Sequence, residues 1–129
     1  TRMGEPSTLA GKATFQRGLA HHAAMWRAAR LLVLDAFTTV EAAVEAGAPL
    51  TPRVRADLRV AAVYATDCSR EVAQWAHLAA GTTAIREGSR LERAFRDIYT
   101  GTQHAFISEK VAIDAAQVWL GVVDDFFGL

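Results

Sequence analysis

This sequence of 129 residues lacks most of the features that mark compartment and partner. Its one cysteine, Cys68, excludes an internal disulfide and suits a reducing compartment such as the cytoplasm. Its 14 basic and 14 acidic residues balance, and no basic patch typical of a nucleic-acid binder is visible. No apolar run reaches the roughly 20 residues that a membrane span needs. We therefore expect a soluble cytoplasmic domain that binds neither nucleic acid nor membrane.

Common catalytic and metal-binding motifs are missing too. There is no glycine-rich phosphate loop, nucleophile elbow or Cys-x-x-Cys. A di-iron bundle needs Glu-x-x-His pairs, and none occurs. The side chains of the adjacent residues His21 and His22 point about 100° apart on a helix, so they cannot coordinate one metal ion together. We predict no metal site, with His22 a hydrogen-bonded core or interface residue and Cys68 a small buried hydrophobe.

Strand signals are nearly absent, whereas helical periodicity runs through the chain. Gly4, Pro6 and Gly11 indicate a linker or N-terminal extension over residues 1–13. Apolar steps of three and four then predict helices near 14–46, 52–80, 89–107 and 109–123. Thr51-Pro52 is a typical helix start, and Ser89 with Glu92 fits a capping box. Short connections between long helices predict an all-α, up-down antiparallel four-helix bundle over residues 14–125.

The apolar positions also predict which helix faces are buried. For the first helix the expected stripe is Phe15, Leu19, Trp26, Ala29, Val33, Phe37, Val40 and Val44. One slim bundle does not easily hide all its large apolar groups, and exposed apolar patches usually mark interfaces. We therefore expect a homodimer or homotetramer through the long helices. The large apolar groups that lead to this expectation are Trp26, Phe37, Trp75, Phe106, Trp119, Phe126 and Phe127.

One polar constellation stands out on the third predicted helix. Arg93, Asp97, Thr100 and His104 are spaced by four, three and four, which predicts a ridge on one face. Composition and spacing alone favour a solvated helix face at this position.

A resemblance to a known family changes that interpretation. The segment 79–97, with its glycine turn at Gly81, Leu91 and the pair Arg96-Asp97, resembles the C-terminal helical domain of the acyl-CoA dehydrogenase superfamily. The continuation through Gln103-His104 is similar to the branch of flavin-dependent monooxygenases and related acyl-CoA dehydrogenase-like proteins. The resemblance covers roughly residues 15–125, and its specific part is 79–106.

The resemblance implies several properties of a longer polypeptide. Complete members have an N-terminal helical domain and a central β-barrel, both absent here, and bind flavin where three domains meet. Their C-terminal bundles assemble an oligomer, usually a tetramer. The turn at Gly81 and Thr82 corresponds to backbone that approaches the cofactor's phosphate or adenine side. The implied cofactor is FAD or reduced FMN, the implied substrate is a small molecule, and the isolated chain is expected to be inactive.

The resemblance also separates two chemistries. Many dehydrogenases use a glutamate as base, and its position falls on Thr100 in one register and on His104 or Ala105 in another. None is a carboxylate, and histidine is the usual acid or base near neutral pH. This favours the monooxygenase branch, in which His104 would hydrogen-bond a flavin hydroperoxide or the substrate, while Arg96 and Asp97 would pair across helices.

Two alternatives stay open on the sequence alone. One is an acyl-CoA dehydrogenase proper. The other is a stand-alone helical module, for interaction or for ligand binding in a regulator, although no helix-turn-helix candidate precedes the bundle.

Overall fold

The computed structural model describes residues 8–125, so Phe126 and Phe127 lie outside the described residues. Four α-helices form: α1 (Ala13–Glu45), α2 (Pro52–Ala80), α3 (Arg90–Gly101) and α4 (Glu109–Trp119). Short 3-10 turns, Leu9–Gly11 and Gly81–Thr83, precede α1 and follow α2. Residues 8–125 contain no strand, so the all-α class and the four helices are confirmed. No helix in this range is long and apolar enough to cross a membrane.

Local sequence explains where the helices begin. The Thr51 hydroxyl accepts a hydrogen bond from the Val54 amide at 3.2 Å, and Pro52 occupies the first helical position. Ser89 caps α3 by accepting from the Leu91 amide at 3.3 Å. The Glu92 carboxylate lies 3.4 Å from the Arg96 guanidinium, one turn along the same helix. Only the serine half of the expected capping box is therefore formed.

The last two helices end earlier than the periodicity predicts. The third was expected to reach residue 107, but α3 ends at Gly101, where the Thr102 hydroxyl donates to the Tyr99 carbonyl at 2.7 Å. Such side-chain bonds compete with helix continuation, and residues 102–108 form a loop. The fourth was expected to reach residue 123, but α4 ends at Trp119 and Gly121 adopts φ 67°, which favours glycine.

Helix α2 lies at the centre of the arrangement. It packs against α1, α3 and α4, whereas those three helices do not pack against one another within residues 8–125. The rings of His77 and Phe95 lie 4.5 Å apart, which puts α3 beside the C-terminal half of α2. The Trp119 indole donates to Asp57 at 2.8 Å, which puts α4 beside the N-terminal half. The up-down order thus holds from α1 to α2 and from α2 to α3, while α4 continues in the direction of α3.

Small side chains fill the contacts around α2. The buried hydrophobic residues among those described are six alanines and one cysteine, and no large side chain is fully buried there. Small residues let helix backbones approach closely, so the helices touch over a narrow seam. Cys68 is buried on that seam, as expected from its place in the apolar pattern of α2. The buried residues are Ala29, Ala36, Ala56, Ala61, Cys68, Ala84 and Ala115.

An aromatic stack joins the N-terminal part of α1 to the C-terminal part of α2. Trp75 stacks on His22 with ring centroids 4.6 Å apart and on Phe15 at 5.5 Å. The Nδ1 atom of His22 lies 2.7 Å from the Gly18 carbonyl, so the prediction of a hydrogen-bonded packing histidine is confirmed. A Cβ on Gly18 would lie 2.6 Å from Trp75 Nε1, so only glycine leaves room for the ring.

The expected buried stripe of α1 is partly wrong. Helix α2 covers Ala29 and Ala36, while four large side chains of the expected stripe remain exposed. Leu19, Trp26, Phe37 and Val44 are 50%, 54%, 51% and 63% exposed, and we call these four residues the outer stripe. Two apolar stripes lie side by side on α1. Helix α2 packs on the stripe with small residues, because small side chains let the two helix backbones approach more closely.

The Gly18–Trp75 contact predicts opposite effects for two glycine-to-alanine changes. Gly18→Ala should lower the free energy of unfolding by about 1–3 kcal/mol, because the added methyl group overpacks the Trp75 ring. Gly101→Ala is the matched control, since Gly101 is also helical and nothing lies within 4 Å of its added Cβ. It should stabilise the chain by a few tenths of a kcal/mol up to ~1. Urea unfolding measures both, and an equal effect at the two sites would contradict the close contact.

Candidate functional site

The predicted cofactor-binding residues lie where α2 ends. Gly81 has φ 60° and ψ −138°, a conformation that favours glycine, and its amide donates to the Leu78 carbonyl. The Gly81 carbonyl accepts from the Ala84 amide at 3.0 Å, and Ala84 is completely buried. Thr82 is exposed between them. Backbone hydrogen bonds thus fix the turn on both sides of the exposed Thr82 hydroxyl.

The predicted catalytic residue, His104, lies in the loop between α3 and α4 and not on a helix. Its ring is exposed, and Nδ1 accepts a hydrogen bond from the Phe106 amide at 3.2 Å. The backbone of His104 is fixed too, since its amide donates to Gly101 and its carbonyl accepts from Ile107. With Nδ1 accepting, the neutral ring carries its proton on Nε2. His104 therefore presents an N–H donor away from the loop backbone.

The expected polar ridge is shortened by the early end of α3. Arg93, Asp97 and Thr100 are exposed on the helix, whereas His104 lies beyond it. The expected pairing of Arg96 and Asp97 across helices is wrong. Arg96 contacts Glu92 on the same helix, and α3 packs only against α2 within residues 8–125.

His104 and the Gly81 turn lie at opposite ends of α3. The loop with His104 contacts α2 around Asp67, where Thr102 and Ile107 line a shared pocket. Gly81 follows the last residue of α2, and at 1.5 Å per residue this is roughly 20 Å further along the axis. The structure does not bring His104 and Thr82 together. They could touch one ligand only at opposite ends of an extended molecule.

Two surface pockets lie near these residues. One, of about 340 Å³, is an apolar groove between Trp26 of α1 and the Leu91–Ile98 face of α3. The other, of about 460 Å³, lies beside the His104 loop, where Asp67, Arg70 and Glu109 contribute charge. Neither lining includes His104, Gly81 or Thr82. The predicted residues thus form open walls within this chain, consistent with a site that needs further protein to close it.

Sequence periodicity missed the residue that anchors the His104 loop. The guanidinium of Arg59, on α2, lies 4.3 Å from the centre of the Phe106 ring. The Phe106 amide in turn donates to His104 Nδ1. A cation–π contact between residues so far apart in sequence leaves no local pattern. Arg59 and Phe106 therefore position His104, and only the folded structure reveals it.

The sequence of this all-helical domain matches a family model. The sequence model described as "Acyl-CoA dehydrogenase, C-terminal domain" matches residues 1–109. The chain belongs to the acyl-CoA dehydrogenase C-terminal domain family.

A curated relative indicates the branch. The indole-3-acetate monooxygenase of Pseudomonas putida is 30% identical over 118 residues, covering 92% of this chain. The chain spans 30% of the length of that relative. Both matches agree with the resemblance recognised in the segment 79–106.

The site geometry predicts different stability effects for two nearby aromatic side chains. His104→Ala should change the free energy of unfolding by less than about 0.5 kcal/mol, because the ring is exposed in a loop. Phe95→Ala should cost about 2 kcal/mol, less than the 3–5 kcal/mol of a fully buried ring, since Phe95 is half-buried against His77 and Tyr99. Thermal and urea unfolding measure both changes. A larger loss of stability in His104→Ala than in Phe95→Ala would contradict the exposed position of the His104 ring.

Proposed function

We propose that this chain is the C-terminal domain of a cytoplasmic flavin-dependent oxidoreductase of the monooxygenase type. In such an enzyme it would form one wall of the flavin site and contribute to a homodimer or homotetramer. The family match over residues 1–109 and the monooxygenase relative support this proposal. The observation that carries it is an exposed, oriented histidine, His104, at one of the positions to which the resemblance assigns the carboxylate of a dehydrogenase.

His104 is the proposed catalytic residue. Its Nε2–H points away from the loop, and its Nδ1 is already engaged by Phe106, so the neutral ring acts as a hydrogen-bond donor. Protonation of Nδ1 would remove the acceptor that the Phe106 amide uses. The neutral ring is therefore suited to donate a hydrogen bond from Nε2 to oxygen on the substrate or the cofactor, whereas proton transfer from Nε2 would require Nδ1 to take up a proton and release the Phe106 amide.

Gly81 and Thr82 are the proposed cofactor-contacting residues. The glycine conformation lets backbone approach a ligand without a Cβ, and the Thr82 hydroxyl lies exposed beside it. FAD or reduced FMN, when bound in the complete enzyme, supplies the redox chemistry. The separation of roughly 20 Å along α2 suits contacts with different parts of an extended cofactor, or with cofactors in different subunits.

The exposed apolar surface supports assembly. Many large apolar side chains of residues 8–125 are exposed, including Trp26, Phe37, Phe106 and Trp119 at 42–54%. Trp75, by contrast, is half-buried by Phe15 and His22. Apolar patches of this kind mark interfaces. The remaining domains of the same polypeptide and further copies of the chain are the proposed neighbours.

Activity of His104 variants tests the catalytic assignment in the polypeptide that joins this domain to the flavin-binding domains. His104→Ala should lower kcat by roughly 10²–10⁴, the usual contribution of a positioned acid or base. Gln103→Ala, the adjacent exposed loop residue, is the matched control and should change kcat little. Indole-3-acetate and related aromatic acids, with reduced flavin and dioxygen, are the first substrates to assay.

The outcomes separate the alternatives. Incorporation of labelled dioxygen into product supports the monooxygenase, whereas oxidation of an acyl thioester without oxygen incorporation favours an acyl-CoA dehydrogenase. His104→Gln keeps an N–H donor but cannot exchange a proton, so partial recovery indicates hydrogen bonding and no recovery indicates proton transfer. Full activity of His104→Ala would refute the assignment. The chain alone should bind flavin negligibly in equilibrium dialysis, because one wall cannot bury the cofactor.

A further inference from the structure

The outer stripe of α1 has an internal symmetry. Leu19, Trp26, Phe37 and Val44 are separated by seven, eleven and seven residues, so the pattern is the same in both directions. At 100° per residue their side chains fall within about 20° of one direction around the helix. All four are at least half exposed, although α1 packs along α2. An antiparallel copy of α1 would place Leu19 opposite Val44 and Trp26 opposite Phe37.

The charges of α1 are segregated about the same centre. Residues 12–30 carry four basic side chains and no acidic one, and residues 31–45 carry three acidic side chains and no basic one. The midpoint of the outer stripe lies between Leu31 and Leu32, at the boundary of the two halves. Two antiparallel copies would therefore set each basic half against an acidic half. The basic residues are Lys12, Arg17, Arg27 and Arg30, and the acidic ones are Asp35, Glu41 and Glu45.

Contacts within the chain do not account for this segregation. The ion pairs described for Arg53, Arg55 and Arg70 of α2 are made within α2 or with Asp125. No ion pair in residues 8–125 involves the charged residues of α1 itself, which are Arg17, Arg27, Arg30, Asp35, Glu41 and Glu45. The order of charges also opposes the helix dipole, which favours acidic residues at the N-terminus and basic residues at the C-terminus. The described ion pairs and the helix dipole therefore do not explain this distribution of charges.

We propose that a second copy of this chain covers the outer stripe, with the two α1 helices antiparallel about a two-fold axis between Leu31 and Leu32. An isologous contact of this kind requires a self-complementary surface, and both the apolar pattern and the charges have that property. The inference rests on the assembly role proposed above and specifies its face, direction and register.

A matched pair of substitutions tests the face. Phe37→Ser removes a stripe side chain that is 51% exposed, while Leu31→Ser removes one that is 54% exposed and lies about 120° away from Phe37 around α1. Neither side chain is buried, so both variants should fold with unchanged helical circular dichroism. Analytical ultracentrifugation of the whole chain should show self-association weakened by about tenfold or more for Phe37→Ser alone.

A second pair of substitutions tests the charges. Glu41→Lys with Glu45→Lys places basic groups near the C-terminus of α1, where the helix dipole favours them. The helix should therefore remain folded while the copies repel each other. Self-association should weaken at low salt, and the effect should fade near 1 M salt, where the Debye length is about 3 Å. Unchanged self-association at low salt would contradict the charge pairing.

Spin labels test the register in a Cys68→Ala background. Labels at residues 24 and 39 lie equally far from the axis, so their inter-copy separations should be equal, with an axial component of about 22 Å. A label at residue 31, next to the axis, should give a shorter separation. Equal separations at all three positions would indicate parallel helices and overturn the proposal.

The results distinguish this inference from the proposed function. A chain that stays monomeric at high concentration overturns both this pairing and the assembly role. The proposed flavin chemistry is tested separately, by the activity of the His104 variants. A dimer or tetramer that Phe37→Ser and Leu31→Ser affect equally retains the assembly role and overturns the pairing through α1. Selective loss in Phe37→Ser, with matching separations at residues 24 and 39, supports the pairing.

Discussion

The close approach of α1, α3 and α4 to α2 is the contact on which the other features depend. Alanines and Cys68 occupy the most buried positions, so backbones come near one another while large side chains stay at the margins. Gly18 extends the same principle, because it makes room for the Trp75 ring between two helices. A seam of this kind fixes the relative position of the helices, yet it buries little apolar area per residue.

A narrow seam leaves large apolar side chains exposed on the helices around it. Because α3 and α4 follow one another along α2, with 12 and 11 residues against its 29, the loop between them crosses near the middle of α2. That geometry holds the His104 loop far from the Gly81 turn and gives each its own open face. The proposed flavin site is consistent with such a division, since each turn would supply one wall to a site completed by other domains.

Local signals allowed much of the fold to be predicted from the sequence. The bounds of α1 and α2 followed from Gly47, Pro49, Thr51 and Pro52, whose effects act within one turn. The end of α3 did not, because the Thr102 hydroxyl competes for a backbone carbonyl in a way that periodicity does not register. The buried face of α1 was misjudged since two adjacent stripes are both apolar, and only packing selects the one with smaller residues. The resemblance predicted His104 as a site residue, whereas the support of its loop by Arg59 and Phe106 depends on a long-range contact that the sequence does not show.

The three tryptophans sit in three different environments. Trp75 lies within the stack against His22 and Phe15, Trp119 donates its indole N–H to Asp57, and Trp26 faces outward from α1. Fluorescence from each ring therefore reports a separate event. Fluorescence of Trp75 would report the packing of α1 against α2, and that of Trp119 would report the attachment of α4 to α2. The emission wavelength of Trp26 would report how far its exposed ring is removed from water. Single-tryptophan versions of the chain would thus carry their own optical probes, one for each contact, without any added label.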